Sequence, residues 1–138
     1  MLSTKTRELL ESSALAHLST VNRDGSPQAS CVWVGLDGDE IVSGHLHRST
    51  KVQNVERDPR VVLTIEAPSH NESGLRQYLV ITGRARVQRG GAPELLQRLA
   101  HTYLGPSVEF PPPESDPGYV LRIVPDRLGG IGPWSDDV

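Results

Sequence analysis

Asp24-Gly25 and Asp37-Gly38 stand thirteen residues apart, each between short alternating or β-branched stretches. Glycine adopts the positive φ of tight hairpins at little cost, so each step marks a turn between antiparallel strands. Residues 15–21, 28–36 and 40–44 flank these turns, and they predict three strands joined as a meander. Pro27 closes the first turn or opens an edge strand. In the second strand Val32 and Val34 share one face, Cys31 and Trp33 the other.

The rest of the chain keeps the β character. Val61-Val62-Leu63-Thr64-Ile65 is nearly all apolar and predicts a buried central strand. Residues 67–75 form a loop rich in Pro, Ser, Asn and Gly. Residues 76–89 predict one long strand, and residues 119–124 a last one. Three short helices interrupt them. The first lies within residues 3–13, capped by Ser3 or Thr4, with Leu9, Leu10 and Ala14 on one face. Thr50 caps a second over residues 51–57, which Asp58-Pro59 ends because the residue before proline avoids the helical region. The third starts at Pro93 and carries the stripe Leu95, Leu96, Leu99, Ala100 and Tyr103. The count is about six strands with no strand–helix–strand alternation. It implies a mainly β, antiparallel sheet that closes into a barrel to remove its edges. The length of 138 residues fits one domain over 1–138, with an N-terminal helix in 1–13 and a glycine-rich tail over 126–138. Asp136-Asp137 reads as a solvated terminus.

Composition narrows the function. With 36% apolar and 4% aromatic residues, the core is aliphatic and thin, so burial against a second copy is expected. Fourteen basic against seventeen acidic residues give a net charge of −3, without the basic stripe of a nucleic-acid binder. No apolar run is long enough to span a membrane, and Met1-Leu2-Ser3-Thr4-Lys5 lacks a secretory pattern, so a cytoplasmic location is expected. Cys31 is the sole cysteine, which excludes an internal disulfide and a cysteine-built metal site.

Residues 44–54 are the richest in chemistry. Arg48, Ser49, Thr50 and Lys51 arrive together at the first turn of a helix, where free N–H groups and the helix dipole favour a phosphate or carboxylate. Spacing alone does not lift this above an ordinary capped helix with solvated basic residues. His45 and His47 would share a face of a strand, yet no acidic or cysteine partner accompanies them, so no metal is expected. Cys31 has no local base and reads as a small buried hydrophobe. There is neither a nucleophile elbow nor a dinucleotide-binding glycine fingerprint. Trp134, in Gly-Pro-Trp, must cover apolar surface. It either plugs the barrel or a dimer seam, or flanks a planar ring.

Taken in order, Leu18-Ser19-Thr20-Val21-Asn22-Arg23-Asp24-Gly25-Ser26-Pro27-Gln28, Val32-Trp33-Val34, the run Lys51-Val52-Gln53-Asn54-Val55-Glu56-Arg57-Asp58-Pro59-Arg60-Val61, Tyr78 through Gly83-Arg84-Ala85, and the final Gly-Pro-Trp resemble the pyridoxamine 5′-phosphate oxidase-like split β-barrel proteins. Within them the chain is most similar to the small actinobacterial group of coenzyme F420-dependent oxidoreductases. The resemblance implies a six-stranded split barrel of the FMN-binding type, a homodimer, and two cofactor grooves along its seam. It implies that Ser30, Cys31, Val32, Trp33 and Val34 run beside a tricyclic ring. It further implies that Ser49, Thr50 and Lys51 hold a phosphate with Asn54 close by, and that Tyr78 crosses the seam while Trp134 approaches the ring. FMN-binding members carry arginine where this chain has Ser30 and Thr50, which favours the deazaflavin F420 over FMN. Arg48 is then the candidate contact for the anionic arm, followed by Arg57 and Arg60. The implied activity is hydride transfer from the reduced cofactor to an unsaturated small molecule, with His45 or Tyr78 as candidate proton donors. Substrate would arrive on the open side of the groove, past residues 67–75 or the tail. The alternatives are an FMN oxidoreductase and a non-catalytic carrier of either cofactor.

Overall fold

The computed structural model describes residues 1–134, so Asp136-Asp137 lies outside the described residues. Ten elements follow in order: α1 (Thr4–Leu10), β1 (Ala16–Val21), β2 (Pro27–Val32), β3 (Gly35–Asp37), β4 (Glu40–His45), α2 (Thr50–Arg57), β5 (Arg60–His70), β6 (Arg76–Arg89), α3 (Ala92–Tyr103) and β7 (Tyr119–Ile131). All strand pairs are antiparallel, in the order β2-β1-β5-β6-β7-β4-β3.

Among the described residues the strand count is seven where the sequence predicts six, and the predicted meander does not form. Residues 28–36 do not make one strand. β2 pairs with β1, and β3 pairs with β4 at the other end of the sheet. Val32 and Gly35 are separated by two residues, a reach of at most about 11 Å. The two edges are therefore tied together through Trp33-Val34, and the sheet closes as a split barrel.

Both Asp-Gly steps do form hairpins. Gly38 has φ 63° between paired Asp37 and Glu40, and the first turn is held by Asn22 N–H donating to Ser26 O at 2.8 Å. β5 runs on to His70, shortening the predicted 67–75 loop to 71–75. Pro68 is accommodated because the ladder skips from Glu66 to His70. β7 likewise extends to Ile131 rather than stopping at Val124. Asp126 is the extra residue of a bulge, with Thr82 opposite Arg127 and Gly83 opposite Pro125. Much of the predicted tail is thus strand.

Leu18, Leu63, Ile65, Leu79, Ile81, Leu121 and Ile123 fill the barrel. β5 is buried on one face only. Val61, Leu63 and Ile65 point inward, while Val62 and Thr64 are half-buried, so the apolar run is not enclosed on both sides as predicted. Ser3 caps α1, its side chain accepting from Thr6 N–H at 3.3 Å. α2 begins at Thr50, which makes Ser49, and not Thr50, the capping residue. α2 contacts β1 and β6, and α3 lies against β4.

Candidate functional site

The first turn of α2 lies between two depressions. One is a cleft of about 260 Å³ lined by Leu15, Cys31, Val32, Trp33, Gly44, His45, Lys51, Leu96 and Phe110. The other is a polar groove of about 370 Å³ lined by Asn22, Arg23, Arg48, Thr50, Gln53, Asn54, Glu56 and Arg57. Lys51 faces the first and Thr50 the second. The cleft has apolar walls with a few polar groups converging on it, the usual composition of a small-molecule site.

The walls come from distant parts of the chain. Alternation on β2 buries Val32 and leaves Cys31 exposed. Trp33 stacks on Tyr103 with ring centroids 5.3 Å apart and planes 12° from parallel. Phe110, from the proline-rich loop, meets Trp33 edge-on at 5.7 Å. Phe110 and Leu96 carry no motif; an aromatic amid prolines was the available signal for the first.

Lys51 is half-buried and forms no ion pair or hydrogen bond among the described residues. Burial lowers its ammonium below the usual lysine value. His45 lies beside it. Burial first, and the Lys51 charge second, pull the imidazole down to about 4, so it is neutral at pH 7. Ser49 caps α2 by position alone, since its hydroxyl bonds to no helix N–H. The first turn of α2 holds no acidic residue. Two buried side-chain polar atoms among the described residues have no partner, and they are the hydroxyls of Ser30 and Ser49. Buried polar groups are normally satisfied. At the first turn of α2 the unsatisfied Ser49 hydroxyl, the Lys51 ammonium and the open helix N–H groups form a donor set that fits an anion, while Ser30, on β2, lines neither depression.

Of the other predicted residues, Arg48, Asn54 and Arg57 line the polar groove, whereas Val34, Arg60, Tyr78 and Trp134 line neither depression. Val34 is in the core at 1% exposure. Asn54 is buried and engaged on three sides: it donates to Thr20 Oγ1 at 3.0 Å and Asn22 Oδ1 at 2.9 Å, and accepts from Arg57 at 3.2 Å. Arg48 pairs with Glu56 at 2.7 Å, Arg57 also donates to Val21 O, and Arg60 pairs with Asp58. Tyr78 is exposed on β6, three strand steps from β2, or about 14 Å along the sheet. Trp134 is 4% exposed within the core, its indole N–H donating to Tyr78 O at 3.1 Å. That burial supports the plug among its two readings. No group of three or more His, Cys, Asp or Glu among the described residues gathers as a metal site; His45 is half-buried and His47 exposed.

The comparisons fit this architecture. A family model described as pyridoxamine 5′-phosphate oxidase matches residues 2–130. The chain belongs to the pyridoxamine 5′-phosphate oxidase family. This is a family of flavin-binding oxidoreductases, and it has F420-related members. A solved F420 reductase superposes with a TM-score of 0.74 at 26% identity, covering 89% of this chain and 94% of its own. Protein Rv2991 from Mycobacterium tuberculosis superposes at 0.73 with 24% identity, covering 98% and 85%. HupZ from Group A Streptococcus superposes at 0.67 with 18% identity, covering 98% of each chain. The last two share the fold of the pyridoxamine 5′-phosphate oxidase family. No curated protein matches the chain. No helix among the described residues is long and apolar enough to cross a membrane.

Proposed function

We propose that the protein is an F420-dependent oxidoreductase that reduces an unsaturated small molecule. The observation that carries this reading is Lys51, a half-buried ammonium with no counter-ion among the described residues, placed at the first turn of α2 between an apolar cleft and a groove that carries Arg23, Arg48 and Arg57 beside Glu56. A ring with a short anionic end would use only the cleft and the helix. A ring with a long polyanionic arm would also use Arg23, Arg48 and Arg57. That second shape is the deazaflavin's. The resemblance, in which FMN-binding members carry arginine where this chain has Ser30 and Thr50, supports the same choice, as does the likeness to a solved F420 reductase.

In this reading the chain binds, orients and excludes water. Trp33, Val32 and Phe110 form the apolar wall for the ring, while Ser49, Thr50 and Lys51 hold the phosphate. When bound, the cofactor supplies hydride transfer from ring carbon 5 to an electron-poor double bond. The cleft, at about 260 Å³, is small for a complete ligand site. A second copy of the chain completes it, bringing its exposed Tyr78 to the seam.

The test is fluorescence titration with F420 and, separately, FMN, on the wild type and on Lys51→Ala. Wild type binds F420 more tightly than FMN. Loss of a charged hydrogen bond weakens F420 by about 1.5–3 kcal/mol, or roughly 10–150-fold. Binding of neither cofactor, or an affinity indifferent to the substitution, defeats the assignment. Turnover with electron-poor alkenes then separates an enzyme from a carrier.

A further inference from the structure

His45 has two ring nitrogens, and its own chain gives a partner to one. Ser43 lies two residues earlier on β4, so alternation brings both side chains to the same face. Ser43 Oγ is 2.8 Å from His45 Nε2. Ser43 is 1% exposed, and among the described residues its hydroxyl has no other hydrogen-bond partner.

That isolation decides the direction of the bond. A hydroxyl carries one proton and two lone pairs. If His45 donated from Nε2, the Ser43 proton would be buried with no acceptor, a costly arrangement. If the hydroxyl donates to Nε2, the bond is made and the buried Ser43 proton has its acceptor. A neutral imidazole whose Nε2 accepts must carry its proton on Nδ1. Nδ1 has no partner among the described residues, and the ring lines the cleft beside Lys51.

We propose that Ser43 is a positioning residue that holds His45 as the Nδ1–H tautomer, so that the imidazole presents a hydrogen-bond donor to a carbonyl or anionic oxygen of the molecule in the cleft. The opposite tautomer would present a lone pair there. Beside the Lys51 ammonium, a donor reinforces recognition of an acceptor-rich, electron-poor edge, whereas a lone pair would compete for the ammonium. The identity of the occupant rests on the F420 reading above; the tautomer does not.

The experiment is long-range ¹H–¹⁵N NMR of the full-length, ¹⁵N-labelled protein at pH 7, without cofactor. The expected spectrum has His45 Nδ1 protonated and Nε2 bare. In Ser43→Ala the tautomer shifts toward Nε2–H, and Ser43→Thr, which keeps the hydroxyl, restores Nδ1–H. A wild-type ring protonated on Nε2 overturns the proposal, and this is read even if Ser43→Ala does not fold. So does a folded Ser43→Ala that keeps the wild-type tautomer. In parallel, F420 titration should weaken about tenfold in Ser43→Ala and stay near wild type in Ser43→Thr. A switched tautomer with unchanged affinity overturns the positioning role. If the tautomer is as stated and wild type binds neither F420 nor FMN, the tautomer assignment stands and the cofactor reading alone falls.

Discussion

Trp33 lies face to face with Tyr103, and the Tyr103 hydroxyl reaches past it to accept from Val34 N–H and donate to Ala14 O, each at 3.1 Å. One side chain from the end of α3 thereby fixes the two-residue link that joins the barrel's edges, and props the aromatic wall of the cleft. Tyr103→Phe keeps the ring stack and removes both bonds. Because Val34 is buried, the orphaned groups should cost about 1–3 kcal/mol. Urea denaturation should show a lower midpoint with an unchanged slope. An unchanged midpoint would mean that the link is held by other contacts.

This closure is the part of the fold least visible in the sequence. Alternation runs unbroken through Val32, Trp33 and Val34, so periodicity predicts one strand. The change of pairing partner from β1 to β4 is a tertiary event without a local signature. Hairpins were legible because Gly25 and Gly38 take positive φ in place. Pro68 and Pro125 were misleading. Proline usually ends a strand, yet both sit at register breaks where no ladder hydrogen bond is required. In the candidate site, the helix start near residues 49–51 was legible, but spacing alone did not separate Lys51 at an anion site from a solvated basic residue. The burial of Asn54 was not legible, since its spacing is equally that of a ligand contact and of a buried structural amide.

Asn54 and Lys51 should separate stability from binding. Asn54→Ala strips partners from Thr20, Asn22 and Arg57. It should cost about 1–3 kcal/mol of stability, with the F420 affinity of the folded fraction close to wild type. Lys51→Met removes a partly desolvated charge that has no partner among the described residues. Its denaturation midpoint should not fall, while anion affinity does. Parallel melts and titrations check both; a binding loss in Asn54→Ala as large as that in Lys51→Met would return Asn54 to the ligand.

Gly83 is a point of close approach between β6 and β7. A Cβ there would stand 2.5 Å from Val124 O, on the bulge that lets β7 pass Pro125. Backbone must move to admit it, so Gly83→Ala should cost about 1–3 kcal/mol or more. Gly129 offers the control: a Cβ there meets nothing within 4 Å. Gly129→Ala should leave the thermal midpoint within a degree or two of wild type, by the same scale of effect. Equal losses in the two variants would mean that glycine's conformational freedom, not the contact with Val124, is what matters.

His45 should make stability fall with acid above the range where carboxylates dominate. Burial and Lys51 hold its folded value at about 4, below the usual 6.5 of a free histidine. Above pH 6.5 the imidazole is neutral in both states and nothing is lost. As pH falls through 6.5 the unfolded chain takes up a proton that the folded chain refuses, so stability declines until about pH 4. At pH 5 the loss should be about 2 kcal/mol, from the 1.36 kcal/mol carried by each pH unit. Asp58, held down to about 2 by its bonds to Arg60, loses its contribution in the same direction but at lower pH, as its unfolded carboxyl titrates near 4. Urea melts at pH 7.5, 6 and 5 on wild type and His45→Gln check this. The variant should show a nearly flat profile over that window; a slope matching wild type would place the acid sensitivity outside the cleft.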